Sequence, residues 1–161
     1  MALSKETASR IIDVVAADAK CRKAIQPRPE LDFLNPGTGL LLEFSHLAGS
    51  ARNLAMILQG KYIGDPDFDE RICSGIAVVT QNAIFAGIRA GKIFGVRTTG
   101  NAHRVHRTIH HEATSVDMTD GSIYIFDWHA TLKVHDPVIS RYEDWLNAQN
   151  GVNYVLFSGF R

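Results

Sequence analysis

Apolar positions near the start of the chain recur at spacings of three and four. Ala8, Ile11, Ile12, Val15 and Ala16 fall on one stripe of residues 5–23, which predicts an amphipathic helix. Cys21 in its last turn reads as a small packing residue. The segment "QPRPELDFLNPGTG" then holds three of the five prolines and predicts a connector. From Leu40 to Leu58 the pattern is helix-like again, with "AGS" as a weak point inside it, until "QGKYIGDPD" ends it.

From Ile72 to Ile88 the chain is apolar nearly all round, and Gly91 follows as a C-cap. That predicts a helix buried on most sides and central to the fold. Beyond it β-branched and aromatic residues dominate "KIFGVRTTG", "HRVHRTIHHEATSVDM" and "SIYIFDWHATLKV", which read as strands. "PVISRYEDWLNAQN" reads as a helix and "NYVLFSG" as a closing strand. The order predicts an α+β fold, with a helical N-terminal part over residues 1–66 and a core over 67–161 in which the buried helix packs on an antiparallel sheet. A chain of 161 residues suits a single domain.

The stretch "HHEATSVDMTDGSIYIFDWH", residues 110–129, predicts a hairpin whose register decides its chemistry. A three-residue loop Thr119-Asp120-Gly121, with glycine at the left-handed position, pairs Met118 with Ser122. His111 and Asp127 then share a face as diagonal neighbours, about 7 Å apart at Cα. A five-residue loop would set them directly opposite. A two-residue Asp-Gly turn would instead put His110 on the face of Asp127, roughly 13 Å along it. An aspartate between Phe126 and Trp128 is costly unless paired. Paired with an imidazole, it fixes the tautomer and leaves the other ring nitrogen free to exchange a proton with a thiol.

Charge narrows the partners. Seventeen basic side chains balance seventeen acidic ones, so no global field draws the protein to nucleic acid or to an anionic membrane. The polar start "MALSKETASR" lacks the apolar core of a signal peptide, and no run approaches the roughly 18 apolar residues of a membrane span. The expectation is a cytoplasmic protein, or one delivered by a specialised secretion system. Cys21 and Cys73 are the only cysteines, too few for a disulfide framework or a thiolate-rich zinc cluster. Six of the seven histidines lie between 103 and 135. On a helix His103, His106 and His110 would share a face and could bind a divalent metal, making a metal-dependent hydrolase or nuclease. Val105, Thr108 and Ile109 favour a strand instead, there is no HExxH, and Arg104 with Arg107 is a thin basis for holding a phosphate backbone. No metal and no cofactor is expected.

Cys73 stands near the head of the buried helix. As a nucleophile it needs that helix to begin close by, where the macrodipole stabilises a thiolate. As a core residue it needs nothing further, and the protein would then be a non-catalytic binding protein of the same fold.

With "ICSGIA" at 72–77, "HHEATSV" at 110–116 and "GSIYIFDW" at 121–128, the order Cys, His, Asp resembles the transglutaminase-like and papain-like cysteine enzymes. The spacing of Ala77 four residues after Cys73, and of Asp127 sixteen after His111, is similar to that of transglutaminase-like domains. The resemblance implies a papain/transglutaminase-like core, Cys73 as nucleophile, His111 as general base and acid, and Asp127 as its orienter. Glu112 and Ala113 follow His111 where the family carries Ala and an aromatic, which leaves His110 as an alternative base. Gln59 is the nearest side chain suited to an oxyanion donor. The resemblance further implies an amide-transforming enzyme of bacterial effector or toxin type: a glutamine deamidase, transglutaminase or amidase. Its substrate would be a protein, with an immunity protein or chaperone as a further partner.

Overall fold

A computed structural model describes residues 3–25, 73–106, 109–148 and 157–159. The predicted connector, the helix over 40–58 and the segment leading into Cys73 lie outside these residues. Where the pattern predicts one helix over 5–23, the chain makes two: α1, Lys5–Ala17, and α2, Ala19–Ile25. Asp18 separates them. Its backbone is extended, and its carboxylate accepts from the amide of Cys21 at 2.9 Å, so it ends one helix and caps the next. Ser4 caps α1 by accepting from the Thr7 amide. Ile11 and Val15 of the predicted stripe are fully buried, with Ala8 and Ile12 packed beside them. Cys21 is buried too, its thiol directed at the Val79 carbonyl.

The central helix α3 runs Cys73–Arg89. It is buried nearly all round from Cys73 to Gln81 and turns amphipathic after Asn82. Lys92 donates to Gly87 and Gly91 to Ile88, with Gly91 at φ 68°. This is the paired bonding of a Schellman stop, in which glycine takes the left-handed position at least cost. Gly87 lets α1 and α3 approach, because a Cβ there would stand 2.9 Å from Ile93 Cδ1 and 3.0 Å from Val14 Cγ1.

Five antiparallel strands follow in the spatial order β4-β3-β2-β1-β5. They are β1 Val96–His106, β2 Ile109–Met118, β3 Ile123–Asp127, β4 Val138–Arg141 and β5 Phe157–Gly159. The first departs from its predicted limits by running through Gly100 into "HRVH", so that those histidines belong to β1. The predicted helix over "PVISRYEDWLNAQN" is also corrected. Val138–Arg141 is an edge strand paired with β3, and only Tyr142–Asn147 form a helix, α4. The fold is α+β, with α1, α2 and α3 in contact with one another and α3 laid against β1 and β2. Among the described residues, no helix is long and apolar enough to cross a membrane.

Period-two alternation gives the sheet two unlike faces. Val116, Met118, Tyr124, Phe126 and Trp128 join the helices in one apolar cluster. Ala113 and Ile125 point the other way and pack with Ala102 and Trp145.

Candidate active site

The site begins with the hairpin turn. Met118 donates to Ser122 at 2.8 Å, Gly121 donates to Met118 at 3.0 Å, and Gly121 sits at φ 87°. This is the three-residue loop. β2 and β3 pair accordingly, Asp117 with Ile123 through Thr114 with Phe126, which sets His111 diagonally across from Asp127. Their side chains meet, with His111 Nε2 and Asp127 Oδ2 2.7 Å apart.

Alternation along "FDW" sorts three neighbouring side chains. Phe126 and Trp128 stack on each other at 5.6 Å on the helix face, while Asp127 points to the opposite one, its side chain 6% exposed. Three donors hold its carboxylate. His111 and the Trp145 indole N–H, at 3.2 Å, reach Oδ2, and the Ala130 amide reaches Oδ1 at 3.1 Å. Burial alone would raise this carboxyl, but the His111 bond and charge, then the Trp145 and Ala130 donors, outweigh it and hold the group below the ordinary range.

His111 shows the converse balance. Burial favours the neutral ring, yet hydrogen bonds and charge from Asp127 and Cys73 prevail and push its pKa up to about 9. With Nε2 on Asp127, the nitrogen left for the sulfur is Nδ1. The ring is flanked by His129, 5.5 Å away between centroids, and by Trp145 at 6.0 Å.

Cys73 belongs to a helix on one face of the sheet and His111 to the other face, so their contact needs an opening. Asp127 closes β3, and His111 lies two residues past the level of Asp127 on β2. The early turns of α3 are pinned to β2 nearby. Thr114 Oγ1 donates to the Ala77 carbonyl at 3.0 Å and contacts the Thr80 hydroxyl, which itself bonds the Ile76 carbonyl. Cys73 is 1% exposed.

Of the candidate residues, His111 thus meets both Asp127 and Cys73. His110 lies in β2 opposite Val105, with its side chain outside the described part, and Gln59 is outside it altogether. His103 and His106 are on β1 and His110 on β2, so the single helix that a shared metal face requires does not form. Among the described residues, no three His, Cys, Asp or Glu side chains converge as a metal site. Trp145 and the Ala130 amide are not legible in the sequence as partners of Asp127. "RYEDWLN" carries no local sign that its tryptophan turns back onto an aspartate eighteen residues earlier.

No family model, curated protein or solved structure matches the chain.

Proposed function

We propose that the protein is a cysteine-dependent amide-transforming enzyme, with Cys73 as nucleophile, His111 as general acid and base, and Asp127 as orienter. One observation carries the reading: a single imidazole is hydrogen-bonded both to a thiol and to a buried carboxylate. A ring held protonated by two acidic partners is suited to stabilise a thiolate beside it. The transglutaminase-like core suggested by the order Cys, His, Asp belongs to the same proposal.

In the reaction, the thiolate attacks a carboxamide carbon and the carbonyl π pair moves onto oxygen. Collapse of the tetrahedral intermediate breaks the C–N bond, and the departing nitrogen takes the proton of the His111 imidazolium. A thioester and ammonia, or an amine, result. Water then attacks the thioester while His111 removes its proton, the C–S bond breaks, and the thiolate returns. An amine in place of water gives transamidation. The buried sulfur favours a slender substrate. A terminal carboxamide on a flexible arm, as in a glutamine side chain, can reach such a sulfur where a backbone peptide flanked by two Cα atoms cannot. Deamidation of a protein glutamine is therefore the preferred form, and an effector or toxin setting goes with it.

The same burial favours one other reading, a non-catalytic protein in which Cys73 is packing. Two measurements separate them. Ammonia release from glutamine-bearing proteins is compared for wild type, Cys73→Ala, His111→Ala and His110→Ala, with a chelator control. Activity should vanish in the first two, persist in the third and ignore the chelator, whereas full activity in Cys73→Ala would sink the reading. Thiol labelling at pH 6 to 7 should modify Cys73 in the folded protein, and protection until unfolding would favour packing.

A further inference from the structure

We infer that Trp145 is a positioning residue for the proposed reaction, its indole N–H fixing the Asp127 carboxylate that orients His111. The inference rests on the reading above for its kinetic consequences, but not for its geometry.

Trp145 and His111 share one carboxylate oxygen, Oδ2, at 3.2 and 2.7 Å. A carboxylate held only at Oδ2 by His111 could swing about its Cβ–Cγ bond. With Ala130 on Oδ1 as well, donors approach from β2, from α4 and from the turn after β3, and the plane of the group is set. The indole is buried with Ile125 and with Ala102 and Ala113, whose small side chains leave room for it. Its ring stands beside the imidazole, tilted 36° with centroids 6.0 Å apart. Because Trp145 and Asp127 are both buried, each of these charged hydrogen bonds is stronger than it would be in water.

The connection also gives a role to the last part of the sheet. β4 begins opposite Asp127 at Val138, and α4 starts directly after β4. Strand and helix together return the chain to the residue that the strand started beside. The chain has one other tryptophan, Trp128, whose indole donates to the Val134 carbonyl at 3.0 Å. Trp128 serves as an internal control.

The test uses the full chain. In wild type against Asp127→Asn, the Trp145 indole proton resonance should move upfield, because a neutral amide is the weaker acceptor, while the Trp128 resonance stays. Trp145→Phe keeps an aromatic body and removes the donor. It should lower kcat roughly tenfold, the worth of one hydrogen bond to a charged group, and leave KM within about twofold since no substrate contact is lost. The acid limb of its pH profile should move to higher pH, because the N–H no longer helps hold the carboxyl down. A purely packing role would move the melting temperature and not that limb. An unmoved Trp145 resonance, or a Trp145→Phe enzyme with wild-type kcat and acid limb, overturns the inference. Should Trp145→Phe fail to fold, or should wild type turn over no amide, the indole comparison decides alone whether Trp145 grips Asp127.

Discussion

The two faces of the sheet solve opposite problems with adjacent residues. Under the helices, Phe126 and Trp128 are buried with Ile11, Val15, Ile84 and Val116 in an apolar cluster whose stability grows with area and tolerates some rearrangement. One residue away on the other face, Asp127 is equally inaccessible, yet its place depends on three donors at fixed directions. Burial of apolar area is forgiving of direction, and a buried charge is not. The first face therefore supplies most of the fold's stability, and the second holds a geometry. Cys73 belongs to a helix of the first face and meets an imidazole of the second, so the proposed reaction happens where the two join.

The comparison breaks most sharply at Asp127. Asp127→Ala leaves an imidazolium and an indole N–H without their shared acceptor. Amide turnover should fall about 10²–10⁴-fold, and the fold should lose about 3–5 kcal/mol, the usual cost of removing one member of a buried charged pair. The stability loss should depend on pH in a definite sense. His111 has a folded pKa of about 9 against an ordinary 6.5, so its contribution is complete below 6.5 and lost as pH rises through about 9. Asp127 is depressed below its ordinary 3.8, so its contribution is complete above that value and lost as pH falls through the lowered one. Denaturant midpoints of wild type and Asp127→Ala should therefore differ most between the two ordinary values of 3.8 and 6.5 and converge towards either extreme. A gap independent of pH would remove the ion pair from the account. The activity profile carries the same signature. Turnover by wild type should fall as His111 loses its proton near pH 9, and in Asp127→Asn that limb should move to lower pH because the raising charge is gone.

Phe126→Ala probes the neighbouring position from the other side. The ring is fully buried, and removing it should cost about 3–5 kcal/mol in transfer and cavity terms, or roughly 10 °C in melting temperature for a domain of this size. Below the transition, turnover per folded molecule should stay within about threefold of wild type, a change of under 1 kcal/mol in barrier. If Phe126→Ala abolished activity at temperatures where the protein is folded, the two faces would not be separable in the way the alternation implies.

How far these features can be read from sequence follows from the range of the interactions that set them. The α1 stripe, the Gly91 stop and the Thr119-Asp120-Gly121 loop depend on residues within about one turn of each other, and each is visible in the pattern. Because loop length sets register, the meeting of His111 with Asp127 was readable as well, although the residues are sixteen apart. The break at Asp18 is not legible, because an aspartate inside a helix and one that ends a helix look alike until its carboxylate is seen on the Cys21 amide. "VISR" reads as helix beside "YEDWLN", and only pairing with β3 makes it a strand. Trp145 is the extreme case. Its hydrogen bond to Asp127 is tertiary, set by the return of the chain through β4 and α4, and nothing local announces it.

The smallest expected effect tests how firmly the register is held. Gly121 is at φ 87° with open space where a Cβ would point, so Gly121→Ala meets no neighbour and suffers only the left-handed backbone penalty, about 1 kcal/mol. The Met118–Ser122 bond and four paired positions from Asp117–Ile123 to Thr114–Phe126 oppose any slip. A slip of one residue would turn Val116 and Phe126 out of the apolar cluster, a loss of several kcal/mol that far exceeds the turn penalty. The variant should therefore melt a few degrees lower, keep its His111 resonances and turn over amide at the wild-type rate. Deleting Thr119 leaves Asp120-Gly121 as a two-residue loop that still closes Met118 on Ser122, so that variant too should keep the register and the activity. If either variant lost activity while folded, the register would be held by the turn rather than by the sheet's apolar face, and the division of labour between the faces would have to be redrawn.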